Sequence, residues 1–200
     1  MRNRRAPAVA EDAAIIESSW REPERFAVLF DRHAPHIYRY LARRAGRQVA
    51  DDLLAETFLA AFARRDRYDL GHADARPWLY GIATNLVGQH RRDEARQYRI
   101  QQAAIAEDAV PGHAERVAAD VTAQAMRALL GAALAALPPG DRDVLLLIAW
   151  EQLTYQEVSR ALGIPVGTVR SRLHRARTKL RQVLAGTSAA ATYEEITANE

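Results

Sequence analysis

A basic run between residues 166 and 181 has the chemistry to bind nucleic acid. No acidic residue occurs between Gly163 and Leu184, whereas Arg and Lys recur throughout that stretch. At about 100° per residue, the apolar positions of the run fall on one side of a helix and the polar positions on the other. The polar side combines arginine with small hydrogen-bonding side chains, a combination suited to phosphates and base edges. It consists of Arg170, Ser171, His174, Arg175 and Thr178.

The surrounding residues predict a helix-turn-helix that would present this run. Thr154 and Glu157 have the spacing of a capping box, which predicts a helix from Tyr155. Gly163 permits a positive φ, and a second helix is expected from Val166 after the short turn. A basic face alone is most often a solvated surface. Together with the capped helix and the turn, it favours DNA binding.

No constellation of residues in the sequence indicates catalysis. The chain has 200 residues and no cysteine, which excludes disulfides, thiol catalysis and Cys-based metal sites. Asp51 and Asp52 are adjacent, so their side chains would point about 100° apart on a helix, and no histidine completes a site. No nucleophile elbow or phosphate-binding glycine loop is found. We therefore expect no enzyme, no metal site and no cofactor.

The composition predicts an all-α protein. Hydrophobic residues make up 48% of the chain and aromatic residues only 7%, and Ala and Leu dominate the apolar set. The net charge of +3 is modest, so the clustering of arginine matters more than the total charge. Neither a signal peptide nor an apolar run of about 20 residues is present. We expect a cytoplasmic protein without membrane insertion.

A second candidate nucleic-acid surface lies between residues 66 and 99. A polar loop over 66–75 is followed by a helix that Pro77 can open. Trp78 and Tyr80 in this helix precede a basic run that begins at His90. Aromatic rings beside arginines are typical of surfaces that bind single-stranded nucleic acid. Trp78 alone is more simply interpreted as a core residue, but the arginine cluster is not.

Changes of pattern divide the chain into five segments. A helix that Pro35 kinks or divides should end at Gly46 in the first domain, and Asp141 can cap a helix in the second. A break at Val110-Pro111-Gly112 indicates a linker between the two domains. The segments are a flexible N-terminus (1–21), a first helical domain (22–100), the linker (101–122), a second helical domain (123–185) and a flexible tail (186–200).

Two separated stretches resemble the sigma-70 family of RNA polymerase sigma factors. The segments D-D-L-L-A-E-T-F-L-A-A-F and A-R-P-W-L-Y-G-I-A-T-N-L are similar to sigma-2, and the segment from Leu137 through Leu180 is similar to sigma-4. The short linker between them resembles that of the extracytoplasmic-function (ECF) group. The resemblance implies a sigma-2-like helical bundle and a sigma-4-like helix-turn-helix, joined by a flexible linker.

The resemblance also implies a function, partners and site residues. Such a factor binds the β′ clamp and β flap of core RNA polymerase and directs initiation at promoter DNA; an anti-sigma factor is a further candidate partner. The positions that match the clamp-binding helix are Asp51, Asp52, Leu53, Glu56 and Phe58. Those that match the surface reading and melting the −10 element are Tyr68, Asp69, Trp78, Asn85, His90, Arg91 and Arg92. Those that match the −35 recognition helix are Thr168, Arg170, Ser171, His174, Arg175 and Thr178.

Two positions depart from the family pattern, and one alternative function remains open. Ala55 stands where the family often has Gln, and Gly81 where it often has a basic residue that contacts phosphate. The alternative is a stand-alone helix-turn-helix regulator, whose output domain would look much like residues 141–184. Such regulators usually bind palindromic sites as dimers and have no use for a clamp-binding helix or a melting surface.

Overall fold

The computed structural model describes residues 11–105 and 121–197, with side chains over 11–100 and 128–183. Within these ranges the chain is helical and contains no strand, which confirms the all-α prediction. No helix in the described part is long and apolar enough to cross a membrane. The helices are α1 (Asp12–Ser18), α2 (Ala27–Ala45), α3 (Arg47–Ala63), α4 (Arg76–Ile105), α5 (Val121–Ala135), α6 (Pro139–Ala149), α7 (Tyr155–Leu162) and α8 (Val166–Thr197). Short 3₁₀ helices occupy Pro23–Phe26 and Arg65–Arg67.

The described chain divides into two compact units. The first consists of the segment up to Ala95 together with Gln156–Gly163, and the second of Arg96–Tyr155 together with the segment from Ile164. The linker break predicted at residues 110–112 lies outside the described residues. The predicted boundary at residue 100 falls inside α4, whose backbone stays helical to Ile105.

The core of the first unit is built where α2, α3 and α4 pack together. The rings of Tyr40 and Tyr80, both fully buried, meet edge to face with centroids 5.3 Å apart. The hydroxyls of Tyr40 and Thr84 lie 2.7 Å apart in a hydrogen bond, so these two buried hydroxyls are paired. Gly46, at φ +89°, ends α2 as predicted. Pro35 is exposed within α2 and does not divide this helix into two.

Two segments that the sequence predicts to be flexible are helical. Residues 12–18 form α1, whose Ile15 and Ile16 are buried among the other elements of the first unit. An apolar pair on so short a helix leaves too little periodicity to be read from the sequence, and its burial stabilises the helix. The backbone of α8 continues to Thr197, whereas the predicted tail begins at residue 186.

The second unit joins α5, α6 and α8 around a small apolar core. Val144 and Leu147 of α6 and Val169 and Leu173 of α8 are almost completely buried. Asp141 is not the cap that the sequence predicts, because α6 already begins at Pro139 with Pro138 before it. Asp141 lies in the first turn instead and is buried.

The predicted bounds of the helix-turn-helix are confirmed. Helix α7 begins at Tyr155 and α8 at Val166, the two positions that the capping box and the turn residues indicated. Gly163 between them has φ +63°, a left-handed conformation that favours glycine.

Candidate DNA- and polymerase-binding surfaces

The loop over residues 68–75, between the second 3₁₀ helix and α4, is held by its own hydrogen bonds. Tyr68 is buried, and its hydroxyl donates to the carbonyl oxygen of His72 at 2.6 Å. The amide of Gly71 donates to Asp69 Oδ1 at 2.9 Å. Asp74 Oδ1 accepts at 2.8 Å from the amide of Arg76, the first residue of α4, which has no partner within the helix. These contacts give the loop one defined shape.

An open hollow of about 280 Å³ lies beside this loop. The ring of Trp78 forms part of its wall and lies 5.0 Å from that of Tyr68, at an angle of 54°. Burial and the nearby carboxylates of Asp12 and Asp74 raise the pKa of Tyr68 to about 12, so its hydroxyl stays neutral at physiological pH. The hollow therefore combines a flat apolar wall with hydrogen-bonding groups. Its lining consists of Tyr68, Asp69, His72, Asp74, Pro77, Trp78 and Arg160 of the same unit.

The predicted −10 residues farther along α4 differ in their surroundings. Asn85 and Arg92 are exposed. His90 is half-buried, with Nε2 3.4 Å from a carboxylate oxygen of Glu94. Arg91 donates from Nη2 to the carbonyl oxygen of Arg44 near the C-terminal end of α2, where helix carbonyls lack partners. The structure thus gives Arg91 a role in packing that its sequence position does not reveal.

The acidic helix α3 presents only part of the predicted polymerase-binding set. Asp51, Asp52 and Glu56 are exposed. Leu53 and Phe58 are 4% and 6% exposed, so the prediction that they form a contact surface is wrong for this structure. Phe58 packs edge to face on Phe30, with centroids 4.8 Å apart.

One apolar residue on the acidic side of α3 was missed by the sequence analysis. Leu59 is 68% exposed, unlike the other large hydrophobic residues of α3. It follows Asp52 by seven positions and Glu56 by three, spacings that place all three side chains on one side of a helix. This spacing in the sequence could have identified Leu59.

The basic side of α8 is partly exposed and partly used in packing. Arg170, Ser171 and His174 are exposed as the helical period predicted, whereas Thr168 and Thr178 are half-buried. Ser171 Oγ donates to the carbonyl oxygen of Thr168 at 3.1 Å.

Arg175 has a partner within the protein that the sequence did not predict. Its Nε and Nη2 donate to the two carboxylate oxygens of Asp141 at 3.0 and 2.8 Å. The side chain of Asp141 is 5% exposed, and that of Arg175 58%. The hydrogen bond with Asp141 raises the pKa of Arg175, which remains a cation. This bidentate pair ties α8 to the first turn of α6.

Lys179 is also engaged in the second unit. Its Nζ donates to the carbonyl oxygen of Ala136, just beyond the end of α5, at 2.9 Å. A cation at this position satisfies a carbonyl that the helix leaves without a partner. Arg170, Ser171 and His174, in the N-terminal part of α8, are exposed and make no such contact to α5 or α6 in the described structure.

Two family models match the chain. Residues 29–97 match "Sigma-70 region 2" and residues 127–180 match "Sigma-70, region 4". The first match covers α3 with its acidic residues, the loop beside Trp78 and most of α4. The second covers most of α5 and the helix-turn-helix as far as residue 180.

Curated relatives give the same result. The ECF RNA polymerase sigma factor SigE of Mycolicibacterium smegmatis is 37% identical over 190 residues, covering 89% of this chain and 65% of the relative. The chain thus spans just under two thirds of that relative. The RNA polymerase sigma factor CarQ of Myxococcus xanthus is 38% identical over 165 residues, covering 80% of this chain and 90% of the relative.

Solved structures share the fold. The sigma factor RpoE of Bartonella quintana, in complex with the anti-sigma factor NepR, has a TM-score of 0.59 and 22% identity, covering 80% of this chain and 96% of that chain. CnrH, in complex with the cytosolic domain of CnrY, has a TM-score of 0.59 and 26% identity, covering 88% and 97%. Regions 2 and 4 define the sigma-70 class of transcription initiation factors, which are not enzymes. The ECF RNA polymerase sigma factor SigC of Mycobacterium tuberculosis is 34% identical over 146 residues, covering 72% of this chain and 75% of the relative. By its identity to these curated relatives, this chain belongs to the ECF group of RNA polymerase sigma factors.

Proposed function

We propose that this chain binds core RNA polymerase in the cytoplasm, directs it to promoters with −35 and −10 elements, and nucleates melting at the −10 element. The observation that carries the proposal is the presence of three different surfaces on one chain. They are an acidic-apolar face on α3, a hollow beside an aromatic ring at the start of α4, and an exposed basic face on α8. A stand-alone regulator would need only the last of these.

The polymerase-binding surface that we assign lies on α3. Asp51, Asp52 and Glu56 supply negative charge, and Leu59 supplies an exposed apolar contact beside Asp52 and Glu56. A partner surface that carries basic side chains around an apolar centre complements this face. Leu53 and Phe58 support the face from inside the unit, since both are buried.

The surface that we assign to the −10 element is the hollow beside Trp78. Extruding a base from the duplex costs a few kcal/mol, and stacking on an aromatic ring contributes about 1–3 kcal/mol per base. A base against Trp78, with its edge toward Asp69 and His72, would therefore offset most of that cost. Arg92, exposed on α4, is placed to neutralise phosphate.

The surface that we assign to the −35 element is the exposed start of α8. An arginine bidentate on guanine contributes about 1–3 kcal/mol of discrimination in the major groove. Arg170 is exposed there, whereas Arg175 is already bound to Asp141. Two small contact surfaces held on one polymerase act at high effective concentration. The chain should therefore read two short elements together rather than either one tightly.

An anti-sigma factor is a further partner that we propose. RpoE of Bartonella quintana, whose fold this chain shares, was solved with an anti-sigma factor, and CnrH was solved with the cytosolic domain of another protein. The exposed faces of α3 and α8 are the surfaces that such a partner would have to cover to block both polymerase and promoter.

Run-off transcription with core RNA polymerase from the host tests the proposed function. With a pool of host genomic fragments as template, core plus this chain should give transcripts with defined 5′ ends that core alone does not produce. Chain that binds fragments without polymerase and leaves the transcripts unchanged would contradict the proposal and support the regulator.

A further inference from the structure

Helix α1 holds both ends of the loop that borders the hollow beside Trp78. The helix lies outside residues 29–97, the segment that matches region 2. It is nevertheless part of the first unit, with Ile16 completely buried. The first residue of α1 and the two residues after the helix make hydrogen bonds to the two ends of the segment 65–75. These bonds give α1 a structural role in addition to its contribution to the core.

Asp12, the first residue of α1, binds the end of the loop next to α4. Its amide donates to the carbonyl oxygen of Ala73 at 3.0 Å. Its Oδ2 accepts from the amide of Ala75 at 2.9 Å and lies 2.7 Å from His33 Nε2. Its Oδ1 accepts from Arg32 Nη1. One buried carboxylate, 4% exposed, thus joins α1, α2 and the loop.

The opposite end of α1 binds the start of the same segment. Trp20 Nε1, two residues beyond α1, donates to the carbonyl oxygen of Arg65 at 3.1 Å. Arg65 Nε donates in return to the carbonyl oxygen of Ser19 at 3.3 Å. The segment that contains Tyr68 and Asp69 is therefore anchored before and after the hollow.

The carboxylate of Asp12 is committed to these contacts. Burial would raise its pKa, but the hydrogen bonds from His33, Ala75 and Arg32 together hold the pKa below its usual range, so the group is ionised. Asp12, His33 and Asp74 could approach one metal ion together. The guanidinium of Arg32 already occupies Oδ1, which makes Asp12 a hydrogen-bond hub and not a metal ligand.

We propose that α1 is a positioning element for −10 recognition and that Asp12 is its positioning residue. The helix fixes the loop in the shape that presents Tyr68, Asp69 and Trp78 to an extruded base. Asp12 does not touch DNA; it acts through Ala73 and Ala75. The inference rests on the proposed function for its consequence at promoters, but its structural part stands by itself.

Asp12→Asn is the variant that tests the proposal, with Glu17→Gln as its matched control. The asparagine keeps the size of the side chain but loses the charge. One carboxylate oxygen is replaced by an amide nitrogen that only donates, so the side chain can no longer accept from both Arg32 and Ala75. Glu17→Gln makes the same change of charge at an exposed position of the same helix. Trp20→Phe, which removes only the donor to Arg65, tests the other anchor if Asp12→Asn fails to fold.

Hydrogen exchange of the free full-length chain tests the structural part. Amides of residues 68–75 should exchange about tenfold faster in Asp12→Asn than in the native chain. Loss of a charge-assisted hydrogen bond lowers the free energy of local opening by an amount equivalent to about that factor. Glu17→Gln should leave the loop unchanged, and neither variant should alter exchange in α8. Equal exchange of the loop in Asp12→Asn and in the native chain would overturn the proposal whatever the chain does at promoters.

Transcription from a promoter library tests the functional part. The holoenzyme transcribes a pool in which both elements are randomised, and sequencing of the transcripts gives base preference at each position. In Asp12→Asn, preference at the −10 element should fall by about three- to tenfold and preference at the −35 element should stay unchanged. A variant that only lost stability would lower transcript yield and leave both preferences intact. An unchanged preference at the −10 element, or an equal loss of preference at both elements, would overturn the inference. A native chain that is inactive on every template would instead overturn the proposed function.

Discussion

Two arginines of α8 that look equivalent in the sequence have different surroundings. Arg170 and Arg175 both fall on the polar side that the helical period predicts. Arg170 is exposed, whereas Arg175 is bidentate on the buried Asp141, 34 residues earlier. The period of a helix predicts which side a residue faces, but it carries no information about a partner on another helix. The same reason explains why Phe58, predicted on a surface, packs on Phe30 instead.

Arg170→Ala and Arg175→Ala should therefore have different effects. Arg170→Ala should lower discrimination at the −35 element by about 5- to 150-fold, equivalent to one lost contact to guanine, with no change in Tm. Arg175→Ala should lower Tm because it leaves the buried carboxylate of Asp141 without its bidentate partner. Thermal unfolding and transcription from −35 variants measure the two effects. A lowered Tm in Arg170→Ala with an unchanged Tm in Arg175→Ala would contradict this assignment of roles.

Helices were predictable from the sequence where local signals mark their ends. They were less predictable where contacts with residues distant in sequence determine whether the helix forms. The end of α2 at Gly46 and the start of α7 at Tyr155 follow from glycine and capping chemistry. For α1 the sequence indicated a flexible segment with at most a helical turn near Ile15 and Ile16, since a helix of seven residues with one apolar pair depends on burial against neighbouring elements. The shape of the loop over 68–75 depends in turn on Asp12, which is distant in sequence.

At the scale of α3, the exposed face and the buried face should separate in experiments. The triple variant Asp52→Ala, Glu56→Ala and Leu59→Ala should keep its Tm and lower affinity for core polymerase by at least about fivefold, since an apolar contact in an interface is equivalent to about 1 kcal/mol or more. Phe58→Ala should instead lower the free energy of unfolding by about 3–5 kcal/mol.

The double variant Glu17→Ala and Glu24→Ala is the control for the triple variant of α3. It removes the same number of exposed acidic residues from the first unit while leaving α3 intact. Titration of labelled core polymerase measures affinity for each chain. Equal affinity of the native chain and the triple variant, with folding intact, would move the polymerase-binding surface away from α3.

At the scale of the whole molecule, the chain carries two units with different chemistry. The first pairs an acidic-apolar face with a hollow beside an aromatic ring, and the second presents a basic helix. The sequence predicted both chemistries from residue type and spacing, and the segments that match regions 2 and 4 carry them. The proposed function requires joint action of the two units on one polymerase, because two tethered contact surfaces act at high effective concentration.

The most direct test of that claim is the base preference of transcripts made from the randomised promoter library with the native chain. We expect two short blocks of preferred sequence at a fixed separation, present with core polymerase plus this chain and absent with either alone. Changing the separation by a few base pairs should abolish transcription because both units must engage at once. A single palindromic block bound by the chain without polymerase, or transcription that is insensitive to the separation, would contradict it.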